Sequence, residues 1–199
     1  MRSRVDLSTP KDRLTRYLEH LDVIFEREPI FHPLDSEIPG APKVVCMTYH
    51  DVPEAGHITG VTYGLSEVPH DDWRFGRPEL IIAVQSTDIS WPLAIAEMAN
   101  RLRGRCPFSY GDVINFGEKV SDDSDMTAFF VFAPSILEKN DYLDIDVGGP
   151  QRINIAGMYP IYDSERAVIR ERGIERFWHH PNFDLYDVRR PMVPNSLPS

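Results

Sequence analysis

Glu79-Leu80-Ile81-Ile82-Ala83-Val84, within the stretch from Arg77 to Gly104, is a nearly unbroken apolar run, and Ser90-Trp91-Pro92 then opens a segment that ends at Gly104. The run predicts a central strand. The segment after it predicts a helix, with Ile95, Met98, Ala99 and Leu102 on one side and Gly104 as its stop. Strand, turn and helix packed back on the sheet form the structural centre.

On the N-terminal side, Thr9-Pro10-Lys11-Asp12 reads as a helix start: a hydroxyl cap, proline at the first position, and an acid near the positive end of the dipole. Leu14, Tyr17, Leu18, Leu21, Ile24 and Phe25 follow at helical spacing, a face expected to be core. Residues 31–42, rich in proline, read as an extended connection. Residues 44–49 predict an interior strand. Residues 58–65 predict a second strand, whose glycines mark bulges or close approach.

On the C-terminal side, residues 111–116 alternate as a short strand and residues 126–132 form another, closed by Pro134. Leu143-Asp144-Ile145-Asp146-Val147 alternates strictly and is expected to be a half-exposed edge strand. Residues 153–159 return as a strand. Asp163 is placed to cap a helix that ends at Gly173, and Ile174, Phe177 and Trp178 lie on a last short turn. Strands and helices mix without a β-α-β alternation. The expected class is α+β: a central mixed β-sheet flanked by helices. Residues 1–190 form one domain and residues 191–199 a proline-rich flexible tail.

The 199 residues are 42% hydrophobic and 11% aromatic, enough for a core, and carry a formal net charge of -10. An acidic surface disfavours nucleic acid. It suits a basic partner or simply aids solubility. Two cysteines, Cys46 and Cys106, are too few for a disulfide framework. No apolar segment approaches the roughly 18 residues of a membrane span. The expected location is cytoplasmic.

Catalytic and metal signatures are weak. Cys46 and His50 on a strand share a face but stand about 13 Å apart, beyond hydrogen-bond reach. His179 and His180 are adjacent, so their rings diverge on a helix. Asp122, Asp123 and Asp125 lack the glycine and glutamate of a calcium loop. Gly148-Gly149-Pro150 is no phosphate loop. Neither cofactor nor metal is expected, and a non-enzymatic binding protein is favoured.

Several stretches, in order, resemble the suppressor of fused domain family: Tyr63-Gly64-Leu65-Ser66-Glu67; Arg77-Pro78-Glu79-Leu80; Trp91-Pro92; Gly111-Asp112; Asp123-Ser124-Asp125-Met126 with Val131-Phe132-Ala133-Pro134; and Ile155-Ala156-Gly157-Met158-Tyr159-Pro160-Ile161-Tyr162 with Glu165. The resemblance implies the fold of the family's N-terminal domain and a protein-binding role. Animal members clasp a peptide of Gli-type transcription factors between two domains. Small bacterial members look like immunity proteins of polymorphic or contact-dependent toxin systems. The resemblance therefore implies a protein partner, in this acidic form a basic toxin domain, with a peptide-binding or scaffolding module as the alternative.

It also places a peptide-binding aspartate at Asp112, although a Gly-Asp turn equally uses that carboxylate on its own backbone. Leu102 stands where the animal domain has an aromatic binding residue, which puts a shared peptide specificity in doubt. Trp91 reads as a core anchor. Asp144 and Asp146 are placed beside the expected edge, either to meet a partner strand or to discourage pairing.

Overall fold

The computed structural model describes residues 12–195 of the chain. The first helix, α1 (Arg13–Phe25), is capped by Asp12, whose Oδ1 accepts the Thr15 N–H at 2.7 Å. The cap is Asp12, and the expected start at Thr9, Pro10 and Lys11 lies outside the described residues. Tyr17, Leu21 and Phe25, four apart, form its buried face.

Seven strands follow: β1 (Ile30–Leu34), β2 (Val44–His50), β3 (Ile58–Tyr63), β4 (Arg77–Val84), β5 (Val113–Asn115), β6 (Ala128–Phe132) and β7 (Ile153–Ile161). They make one sheet in the order β1-β2-β3-β4-β7-β6-β5. The first four strands form an antiparallel meander, and β5, β6 and β7 pair antiparallel. The two halves join where β4 meets β7 in parallel, Arg77 opposite Ile153 and Ile81 opposite Gly157. The sheet is mixed and the class is α+β.

Helix α2 (Ser90–Leu102) covers one face, packing Trp91, Ile95, Met98 and Ala99 with Leu80, Ile82 and Phe129. On the other face α1 covers Met47, Val61, Ile81 and Ile155. Farther along that face, α4 (Glu165–Arg172) and α5 (Ile174–Trp178) cover Phe130, Tyr159 and Ile161. Helices on both sides explain the unbroken apolar run of β4: Leu80 and Ile82 face α2 while Ile81 faces α1. A Cβ on Gly60 would stand 2.5 Å from the Pro92 Cβ, so α2 reaches the sheet only because residue 60 has none.

Two expectations about strands need correction. The connection over residues 31–42 contains β1, masked in the sequence by Pro33 and by the exposure of Ile30 and Phe31. Residues 143–147 are not an edge strand. They follow a short helix, α3 (Lys139–Tyr142), and make one bridge, in which Ile145 and Ile153 exchange hydrogen bonds of 2.9 and 3.1 Å. Ile145 and Val147 are buried in the α1 cluster, so the alternation reports burial under a helix, not a pleated edge. Asp163 does not cap α4 either. Ser164 holds the N-cap position, and Asp163 pairs with Arg166 at 2.8 Å.

Glu79 is fully buried at the head of β4. Its Oε1 accepts the N–H groups of Gly64 (2.8 Å) and Ser66 (3.0 Å), and its Oε2 the Thr62 hydroxyl (2.7 Å). Gly64 also gives its carbonyl to the buried Arg103 guanidinium at 3.2 Å. It sits at φ +119°, where a Cβ would press within 2.6 Å of the Lys43 oxygen.

The C-terminal segment is pinned. Arg190 and Glu165, both buried, form a two-pronged pair of 2.6 and 2.7 Å, and the Val193 N–H joins Glu165 Oε1 at 2.7 Å. Val193 is 1% exposed. The expected flexible tail from residue 191 is therefore corrected for residues 191–195; residues 196–199 lie outside the described residues.

Two predictions follow from these buried charges. Arg190→Ala leaves the Glu165 carboxylate buried and unpaired, so urea unfolding is expected to show a loss of about 3–5 kcal/mol; a loss below about 1 kcal/mol would refute the pair's importance. Burial pushes the Glu79 carboxyl above its ordinary value of 4.5, against the pull of its bonds from Ser66, Thr62 and Gly64. A raised acid holds its proton longer in the fold than in the unfolded chain. Its contribution is thus full below about pH 4.5 and falls as pH rises through the folded value. Glu79→Gln, always neutral, should flatten that decline in a series of denaturant titrations from pH 4 upward.

Candidate functional site

A sheet leaves backbone groups unpaired at its edges, here β1 and β5. β1 carries Pro33, which has no N–H to offer. At β5 the phase is set on either side of the strand. The Val131 N–H donates to Asp112 O at 2.9 Å, and the Phe116 N–H to Thr127 O at 2.8 Å. Residues 112, 114 and 116 therefore face β6, and the N–H and C=O groups of Val113 and Asn115 point to the open side.

Asp112 builds the turn that feeds this strand. Its Oδ2 accepts the Ser109 N–H at 2.8 Å, while its own N–H donates to Ser109 O at 2.9 Å. A cleft of about 460 Å³ separates this turn from α4 and α5, lined by Asp112, Val113, Arg166, Ile169, Arg170 and Ile174 among others. Arg166 is held by Asp163, whereas Arg170 is exposed and has no partner among the described residues. The cleft thus offers an extended segment two kinds of contact: unpaired backbone along β5, and apolar side chains of Val113, Ile169 and Ile174 flanked by Arg166 and Arg170.

Asp144 and Asp146 belong to a different place. Arg152 reaches Asp146 at 2.5 Å and Asp144 at 3.9 Å, and Asp146 also accepts the Gly148 N–H at 2.8 Å. The bonds from Arg152 and Gly148 hold the Asp146 carboxyl below the usual carboxylate range. With residues 143–147 off the sheet edge, the assignment of these two aspartates to an open strand edge is corrected. They do not line the Asp112 cleft.

Leu102 packs against the α2 core. Trp91 is fully buried, its Nε1 donating to Asp123 Oδ1 at 3.2 Å, while Ser86 holds Asp123 Oδ2 at 2.7 Å. Cys46 is buried too: its thiol donates to Pro92 O at 3.3 Å, and burial pushes it up to about 12. Among the described residues no group of three or more His, Cys, Asp or Glu side chains is placed to hold a metal ion. No helix among them is long and apolar enough to cross a membrane.

This mixed sheet, closed over by α2 and feeding an open β5 through a Gly-Asp turn, defines a class of domain, and the comparisons give it a family. The model of the suppressor of fused protein family matches residues 41–191, and the chain belongs to that family. No curated protein sequence matches the chain.

Among solved structures, a protein described as a suppressor of fused homologue from Neisseria gonorrhoeae aligns over 93% of this chain and 97% of its own, at TM-score 0.67 and 15% identity. A chain of the Sufu–Fu complex aligns over 92% and 93%, at TM-score 0.65 and 15% identity. Drosophila Suppressor of Fused aligns over 92% of this chain at TM-score 0.62 and 18% identity. There this chain spans 51% of the larger protein. At these identities the likeness is one of fold.

Sequence reading missed the outward backbone of Val113 and Asn115, and Arg170 and Ile174 across the cleft. No local pattern signals which strand ends a sheet; that follows from strand order alone.

Removing the Asp112 side chain leaves the Ser109 N–H without its partner. Asp112→Ala is expected to cost about 0.5–1.5 kcal/mol in chemical denaturation, and Asp112→Asn, which keeps an acceptor oxygen, markedly less. Equal losses for the two would show that the carboxylate does not build the turn.

Proposed function

We propose that this protein binds a protein partner by accepting one of its extended segments along the open edge of β5, and so keeps that partner inactive. The observation that carries the reading is the outward backbone of Val113 and Asn115 beside the cleft that Asp112 lines. Strand addition supplies affinity through main-chain hydrogen bonds, and side chains entering the cleft supply selectivity. Asp112 takes part through the turn it builds, which positions β5 beside the cleft.

A net charge of -10 favours a basic partner and speeds its encounter. With the family membership, this supports an immunity protein that neutralises a toxin. The likeness to a chain of the Sufu–Fu complex supports a second reading, sequestration of a cellular protein.

Asn115→Pro removes one outward N–H and spares the bonds to β6. Co-expression with the product of the gene immediately upstream tests both levels. The native chain is expected to relieve that product's toxicity, and Asn115→Pro, with an unchanged circular dichroism spectrum, to lose the protection. A native chain that neither binds nor protects would remove the toxin reading. Full protection by Asn115→Pro would move the contact away from β5.

A further inference from the structure

The loop between β3 and β4 carries Phe75, 91% exposed. Its exposure is built in, because the loop is tethered on both sides. Trp73 Nε1 donates to Pro107 O at 2.8 Å, Asn154 Nδ2 to Phe75 O at 2.6 Å, and the Arg77 N–H to Arg152 O at 2.9 Å. These bonds hold the Phe75 backbone at the surface. Phe75 stands at one wall of a cleft of about 370 Å³ whose other walls include Trp73, Pro107, Tyr110 and Leu143. Tyr110 is itself 48% exposed.

Asp72 and Arg74 line the same cleft. They do not pair with each other. Arg74 has no partner among the described residues, and Asp72, 70% exposed, is approached only by His70 Nδ1 at 3.9 Å. One apolar knob beside one apolar cleft, rimmed by one unmatched base and one nearly unmatched acid, is complementary to itself under a two-fold axis. Residue i of one copy then meets residue j of the other, and j meets i.

We propose that this face is the interface of a homodimer. Phe75 of each protomer enters the cleft of its partner, and Arg74 pairs with Asp72 of the partner subunit. The charge complementarity commits the face to a second copy: a partner of one sign would leave either the acid or the base unmatched. Repulsion between two chains of net charge -10 is largely screened between charges farther apart than about 8 Å, the Debye length at physiological salt. The dimer needs nothing from the β5 edge.

Sedimentation equilibrium of the full chain from about 1 to 100 µM, at physiological ionic strength, tests the assignment. The native chain is expected to dimerise, and Phe75→Ser to weaken the dimer by at least about thirtyfold with its circular dichroism unchanged. Arg74→Asp and Asp72→Arg should each weaken it by setting like charges across the axis, and the two together should restore it, because the swap re-forms both pairs. A purely structural role in the loop would not be rescued in this way. A native chain that stays monomeric at about 100 µM, a dimer indifferent to Phe75→Ser, or a double variant as weak as the singles would each overturn the proposal.

Discussion

The parallel ladder between β4 and β7 is the constraint on which the remaining structure depends. The chain makes two antiparallel sheets' worth of local pairings, β1 to β4 and β5 to β7. Only the contact of residues 77–81 with residues 153–157 makes them one layer. Parallel strands have no hairpin to bring them together and are stable when both faces are covered. This one is covered by α2 on one side and α1 on the other. Glu79 lies within the ladder, opposite Ile155, and its carboxylate draws the β3–β4 turn down onto the strand through Gly64 and Ser66. Register, turn and helix seat are therefore coupled, and a change at Glu79 acts on all three.

The residues that carry the family resemblance turn out to hold the scaffold. Tyr63-Gly64-Leu65-Ser66-Glu67 meets Arg77-Pro78-Glu79-Leu80 through the Glu79 carboxylate and through Arg77, whose guanidinium donates to Ser66 O at 2.9 Å. Trp91 meets Asp123 through the indole N–H. Tyr162 meets Glu165 through a backbone N–H at 2.9 Å, and Glu165 in turn holds Arg190. Each pairing buries a polar group with its partner, and an unmatched buried polar group is costly. A change in one member of such a pair strands the other, which ties these stretches to the scaffold. The same physics explains why recognition told more about fold than about partner.

What was legible in the sequence was whatever burial imprints on local pattern. The central strand, α2 and the buried face of α1 could be read because apolar spacing records the faces they cover. Where burial and pairing part company, the reading failed. Residues 143–147 alternate as a strand would, yet Ile145 and Val147 are buried in the cluster that α1 closes, with a single bridge from Ile145 to Ile153. β1 pairs along its length with β2 but is mostly exposed, so it leaves no apolar signature. The segment from Arg190 looked loose because proline and polar residues dominate it. Its anchor is a single arginine whose carboxylate partner lies 25 residues earlier. Asp112 was visible as a motif, but the open strand beside it was not, since edges are a property of strand order.

The two edges of the sheet are protected by different means, and the difference decides where a partner can join. An exposed edge invites indiscriminate pairing, and natural sheets blunt it with proline, charge or brevity. β1 uses Pro33, which removes a donor whatever strand approaches. β5 uses brevity: three residues give too few hydrogen bonds to hold a strand that brings nothing else. Brevity, unlike proline, can be overcome. Under the proposed strand addition, a segment that also fills the cleft beside α4 would add side-chain contacts to the short ladder. Selectivity at β5 would then come from the weakness of its backbone pairing, with occupancy of the cleft as the condition of binding.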